Sequence, residues 1–169
     1  KPVGPIYQRR EAERLKKEKG WAIAPDGAYY RRVVPSPEPQ QIIEIDVIRL
    51  LVRENIVTIC AGGGGIPTAF RDGRLYGVEA VIDKDLAASL LARSLKARQF
   101  VMLTDVDYVY LDFGTPEQRA IRAAHPDALE KLPFDAGSMG PKIRGACRFV
   151  RETGCRSAIG NLGELNDIV

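Results

Sequence analysis
Apolar positions along the chain alternate between helical and extended spacing. Glu11 to Lys19 is a short, highly charged stretch of helical pattern, and Gly20 stops it. Trp21 to Val34 contains a Pro25-Asp26-Gly27 turn and then an extended run from Tyr29 to Val34. Pro35, Pro37 and Pro39 fix φ and remove donors, so residues 35–39 are predicted to form a rigid connection. This divides the chain into a peripheral, protruding segment and linker over 1–39 and a compact α/β domain over 40–169.

From Gln41 to Glu54, Ile45, Ile48, Leu51 and Val52 recur at helical spacing. The β-branched run Ile56 to Cys60 that follows predicts a buried strand. A hairpin is expected around Arg71-Asp-Gly-Arg74, then a helix from about Asp83 to Ala97 and a second apolar strand over Phe100 to Thr104. Thr115-Pro-Glu-Gln118 offers an N-cap, a first-turn proline and a capping-box glutamine, so another helix is expected there. A last helix is predicted from near Pro141 to Glu152, and a short strand over Ser157 to Ile159. Strands alternating with helices predict an α/β fold with a mostly parallel sheet flanked by helices.

Composition narrows the class. With 169 residues, 45% of them hydrophobic, the chain can bury a core of its own. The 25 basic and 22 acidic residues are scattered rather than blocked, which gives no footprint for nucleic acid. No apolar run is long enough to span a membrane, and Lys1 to Arg14 lacks a signal-peptide core, so the expected location is the cytoplasm. Cys60, Cys147 and Cys155 form no CxxC pair and are taken as packing residues; no metal-ligating set is expected.

The unusual polar motifs all follow predicted strands, where an open α/β sheet binds ligands. Gly62, Gly63, Gly64 and Gly65 follow Cys60, Asp105 to Asp107 follow Thr104, and Asn161 follows the last strand, so three strand ends are expected to meet at one crevice. Four glycines bare their N–H groups to an anion such as a phosphoryl oxygen, or else form a tight turn under a packed helix. No lysine follows Gly65, so this is not a Walker loop. Lys84 opens a helix where an ammonium opposes the dipole. Its use is either to meet a transferred phosphoryl group, held in place by Asp85, or to sit in an exposed, salt-bridged first turn. In Gly137-Ser-Met-Gly-Pro-Lys142, Lys142 either adds a second cation to the same region or is a solvated lysine in a capping turn. His125 has no adjacent nucleophile and is given no catalytic role, and Tyr29 and Tyr30 are read as strand residues.

Taken together, Lys1-Pro-Val-Gly-Pro5, Arg32 to Pro37, Cys60-Ala-Gly-Gly-Gly-Gly-Ile-Pro67, Gly77 to Asp85, Leu103-Thr-Asp-Val-Asp107 and Ala136 to Lys142 resemble, in order and spacing, the carbamate kinases of the amino acid kinase family. The resemblance implies an incomplete three-layer α/β sandwich and reversible phosphoryl transfer between ATP and carbamate, giving ADP and carbamoyl phosphate, as in arginine catabolism. It implies ATP or ADP with Mg2+, the small-molecule substrates carbamate and carbamoyl phosphate, and a homodimer of complete chains. Residue by residue, it gives Lys84 and Lys142 contacts to phosphoryl groups and Asp85 the orienting of lysines. Lys1 becomes a further lysine from the protruding segment. Gly62 to Gly65 become the glycine lining of the site, and Thr104, Asp105, Tyr110, Gly137, Ser138 and Met139 the nucleotide-binding residues. Members of the family are considerably longer and carry a Gly-Gly-Asn-Ala turn and much of the carbamate site in their other half, so this stretch alone is expected to lack activity. A non-catalytic nucleotide-binding module, or a kinase of the same family with another acceptor, remains open.

Overall fold
A computed structural model describes residues 1–135 and 137–164. Ala136 of the glycine-lysine motif and residues 165–169 of the expected second domain lie outside them. The chain forms two compact units, one of residues 1–38 and 66–82, the other of residues 39–65 and 83–169.

In the first unit, β1 (Pro2–Tyr7), β2 (Ile23–Asp26) and β3 (Tyr29–Val33) form an antiparallel sheet in the order β1-β3-β2. Its prolines lie on edge strands, where a missing N–H costs no ladder bond. Pro25 is thus inside β2, and the turn expected from it is made by Gly27 and Ala28. Helix α1 (Arg9–Lys19) ends at Gly20, whose φ of 65° supplies the left-handed cap. Ala12 and Leu15 are its buried residues. Trp21 lies between the Lys19 ammonium, 4.7 Å from its ring, and the Arg32 guanidinium at 4.5 Å. A hairpin of β4 (Thr68–Arg71) and β5 (Arg74–Gly77) completes the unit. Asp72 and Gly73 both take positive φ, the requirement of a two-residue hairpin loop.

The second unit is built on two helices packed side by side and one parallel strand pair. β6 (Gln99–Thr104) and β9 (Arg156–Asn161) run parallel with Thr104 opposite Asn161. Helices α3 (Lys84–Ser94) and α5 (Met139–Thr153) pack on each other, and the core gathers Phe100, Met102, Ala146 and Phe149 between helix and sheet. The Phe100 and Phe149 rings sit 5.4 Å apart. Cys147, Ile143 and Val109 form an adjoining cluster, and burial pushes the Cys147 thiol above its ordinary pKa, which suits a packing residue. Helix α2 (Ile45–Arg53) is shorter than the pattern from Gln41 predicted and buries Ile48. A four-residue helix, α4 (Pro126–Leu129), begins where the His125 ring accepts a hydrogen bond from the Asp127 amide. Among the described residues no helix is long and apolar enough to cross a membrane.

Two expected elements are absent. Ile56 to Cys60 has no regular structure, and Val57 and Ile59 are 93% and 98% exposed. A β-branched run needs a neighbour for its backbone groups, and no strand among the described residues pairs with it. Thr115 to Gln118 is a turn rather than a helix. Gln118 does fold back on the chain, but onto the Gly114 amide at 2.8 Å, one residue before the position a capping box needs. The chain then enters β8 (Arg119–Ile121), which pairs antiparallel with β7 (Val109–Leu111). Ladder bonds to β7 displace the local helix signal, a tertiary override of propensity.

Candidate functional site
The sequence of α3 fixes the first part of the site. The buried Asp83 carboxylate caps the helix, accepting from the amides of Asp85 at 2.9 Å and Leu86 at 3.3 Å. This holds the two residues that open the helix, Lys84 and Asp85, in a defined turn. Lys84 is exposed and makes no ion pair among the described residues. Asp85 turns inward instead: its Oδ2 meets Lys142 Nζ at 2.8 Å, so of the lysines expected beside it the structure pairs it with Lys142 and not with its neighbour Lys84.

The Lys142 and Asp85 side chains are only 11% and 14% exposed. A solvated lysine in a capping turn is therefore not what Lys142 is. Burying such a pair is weak support for stability, since desolvation offsets the attraction. An ammonium also has three donors, and Asp85 occupies one direction only. The arrangement is a cation held in place at the start of a helix, which suits an anion of shape and position fixed by the protein.

The start of α5 is shaped by Asp135. Its carboxylate accepts from the Gly137 amide at 3.0 Å, and its carbonyl from the Gly140 amide at 2.7 Å. A Cβ on Gly140 would lie 2.7 Å from that carbonyl, so only glycine fits. Beside this turn a cleft of about 390 Å³ opens, within the range of small-molecule sites. Thr104, Asp105, Tyr110, Ser138 and Met139, all singled out in the sequence, line it together, and Gly137 adjoins them. Thr104 donates to Asp105 at 3.0 Å, while the Asn161 amide donates to Asp107 at 2.9 Å, so the ends of β6 and β9 do meet. Phe113, Phe134 and Asp135 also line the cleft and were missed. An aspartate two residues before a glycine at a helix entry is the signal that could have pointed to Asp135.

The remaining sequence candidates lie elsewhere. Gly62 to Gly65 follow a run that pairs with no strand among the described residues and are not among the cleft residues; the ends of β6 and β9 meet each other, and of the three expected strand ends only that of β6, at Thr104 and Asp105, lines the cleft. Gly62, Gly64 and Gly65 have positive φ, and a Cβ on Gly62, Gly63 or Gly65 would meet nothing within 4 Å. Gly62 and Gly65 are thus set by backbone conformation and not by a helix packed on them. Lys1 belongs to the first unit, where its main-chain nitrogen donates to the Val34 carbonyl at 2.7 Å.

Known proteins resemble this chain along its whole length. The carbamate kinase of Haemophilus influenzae is 52% identical over 170 residues, covering 100% of this chain and 55% of the relative. That of Rhizobium meliloti is 48% identical, covering 99% and 52%. The structure of carbamate kinase from Giardia lamblia bound to AMP-PNP superposes with a TM-score of 0.89 at 42% identity, covering 99% of this chain and 55% of that one. The chain therefore spans about half the length of the curated relatives it matches. The Amino acid kinase family pattern matches residues 8–161, nearly all of the sequence, and the chain belongs to that family.

Proposed function
We propose that this chain is the nucleotide-binding part of a carbamate kinase, an enzyme that moves a phosphoryl group reversibly between ATP and carbamate. The observation that carries the reading is the Lys142–Asp85 pair, a buried ammonium fixed at 2.8 Å beside the start of α5, whose entry turn also borders the cleft. Positioned positive charge is most of what phosphoryl transfer requires of a protein. The carbamate kinase relatives support the choice of acceptor.

In this reading the cleft formed by Thr104, Asp105, Tyr110, Ser138 and Met139 encloses the nucleoside, with Tyr110 offering its ring face. Lys142, oriented by Asp85, contacts the phosphoryl oxygens. Lys84, with no competing carboxylate among the described residues, is the second cation and meets the charge that develops during transfer. Gly62 to Gly65 line the phosphoryl region through backbone amides other than that of Gly64, which donates to the Ala61 carbonyl at 2.8 Å, and Lys1 keeps the role of a further phosphoryl contact on the resemblance alone. Bound nucleotide brings the transferable group, with Mg2+ neutralising phosphate charge. A cytoplasmic homodimer serving arginine catabolism is the setting proposed for the complete protein.

The test uses the full-length gene product that carries this chain. It should form ATP from carbamoyl phosphate and ADP, and Lys84→Ala should lower turnover far more than it lowers ADP affinity. Calorimetric titration should detect magnesium-dependent ADP binding in both. Absence of ATP formation by the folded wild type, with ADP still bound, would replace the reading with a nucleotide-binding module.

A further inference from the structure
The pair that carries the proposed chemistry is built from two helices, so its length depends on how closely α3 and α5 approach. The approach is set one turn away. Ser89 follows Asp85 by four residues and Gly145 follows Lys142 by three, so each lies on the same helix face as its charged neighbour. Ser89 is fully buried, and its hydroxyl donates to the Gly145 carbonyl at 2.7 Å. A Cβ on Gly145 would lie 3.2 Å from the carbonyl oxygen of Asp85 itself and 3.3 Å from Ser89 Cβ. Gly145 thus rests directly on the backbone of Asp85, and any larger residue there pushes α3 away by a few tenths of an ångström.

We propose that Ser89 and Gly145 are positioning residues that set the separation of Asp85 and Lys142, and through it the placement of the Lys142 ammonium toward phosphoryl oxygens. The proposal deepens the functional reading above and rests on it for the effect on catalysis, but its structural half stands on the contact between α3 and α5 alone. Helix propensity is not the reason for the glycine. Alanine is the better helix former, so propensity by itself would favour replacing Gly145. A serine buried at a helix contact likewise carries a hydroxyl that alanine would not need to satisfy.

The experiment compares full-length wild type with Gly145→Ala, Ser89→Ala and Arg93→Ala. Arg93 pairs with Glu152 at the other end of the same two helices, and it serves as the control for general loosening. Each protein is treated briefly with N-hydroxysuccinimidyl acetate, and acetylation of Lys142 is read against that of exposed Lys84 by peptide mass. Gly145→Ala should raise the Lys142 to Lys84 ratio severalfold, Ser89→Ala less, and Arg93→Ala not at all even where its thermal midpoint falls. Gly145→Ala should lower kcat by about tenfold with the KM for ADP little changed, a displacement effect smaller than that of a full ångström. An unchanged ratio and unchanged kcat in folded Gly145→Ala overturn the proposal, as does an Arg93→Ala ratio that rises equally. If Gly145→Ala does not fold, the Ser89→Ala ratio decides alone. A moved ratio with no phosphoryl transfer by the wild type would keep the positioning and refute the enzymatic reading.

Discussion

Phe100 to Thr104 and Ile56 to Cys60 are alike in length and apolar character, and each leads into a polar loop. Phe100 to Thr104 lies in β6, hydrogen-bonded to β9 along its length and covered by α3 and α5, with Phe100 and Met102 buried. Ile56 to Cys60 has no strand beside it among the described residues and leaves Val57 and Ile59 almost bare. Side-chain preference for extended structure is shared by both runs. What separates them is a partner for the backbone, which β9 supplies to one and nothing described supplies to the other.

The contrast can be broken most directly at Phe149, which has no exposed surface and packs on Phe100. Phe149→Ala should destabilise the second unit by about 3–5 kcal/mol in urea denaturation. A loss below about 1 kcal/mol would mean that the β6 face is no better packed than the exposed run.

Asp85→Asn sharpens the chemical side of the comparison, since Asp85 belongs to the covered region. It keeps the size of the side chain but removes the charge that holds Lys142, and turnover of the full-length gene product should fall on the order of 10²-fold, with a lowered thermal midpoint but a protein that still folds, since the buried Lys142 ammonium loses its counter-charge. Near-normal turnover would end the orienting role. Loss of turnover only through unfolding would make the residue structural.

In the uncovered run, Val57→Thr and Ile59→Thr should shift the stability of this chain by no more than about 0.5 kcal/mol, because neither side chain leaves water on folding. Thermal denaturation checks this, and a large loss would place the run in a core.

The smallest effect concerns Glu152, whose carboxyl is held below its ordinary pKa by hydrogen bonds from Arg148 first and Arg93 second. A depressed carboxylate pKa adds stability that is complete above the ordinary value, near about 4.3, and disappears as pH falls through the folded value. The site is largely exposed, so the effect is slight. Stability curves of wild type and Glu152→Gln should converge in acid and differ little at neutral pH, and a difference that grew in acid would reverse the sign argued here.

Much of the fold was legible because its signals are local. The Gly20 stop, the Asp72-Gly73 turn and the helix starts near Asp83 and Pro141 each rest on signals within a few residues, and each lies where the sequence put it. The grouping of Thr104, Asp105, Tyr110, Ser138 and Met139 was legible through resemblance to the family, not through spacing. Where local signals misled, a nonlocal choice had intervened: Thr115 to Gln118 carries a helix start, but β7 and β8 claim the chain for a hairpin. The sequence by itself determined α1, α2, α3 and α5, the Asp72-Gly73 turn and which residues could carry charge or bare amides. Only the tertiary structure decided that Asp85 faces Lys142 rather than Lys84, that Ser89 and Gly145 set the helix approach, and that one of two similar apolar runs becomes a strand. The reason is physical: an ion pair, a helix contact and a ladder bond each need a second element, and no residue encodes its distant partner in its own neighbourhood.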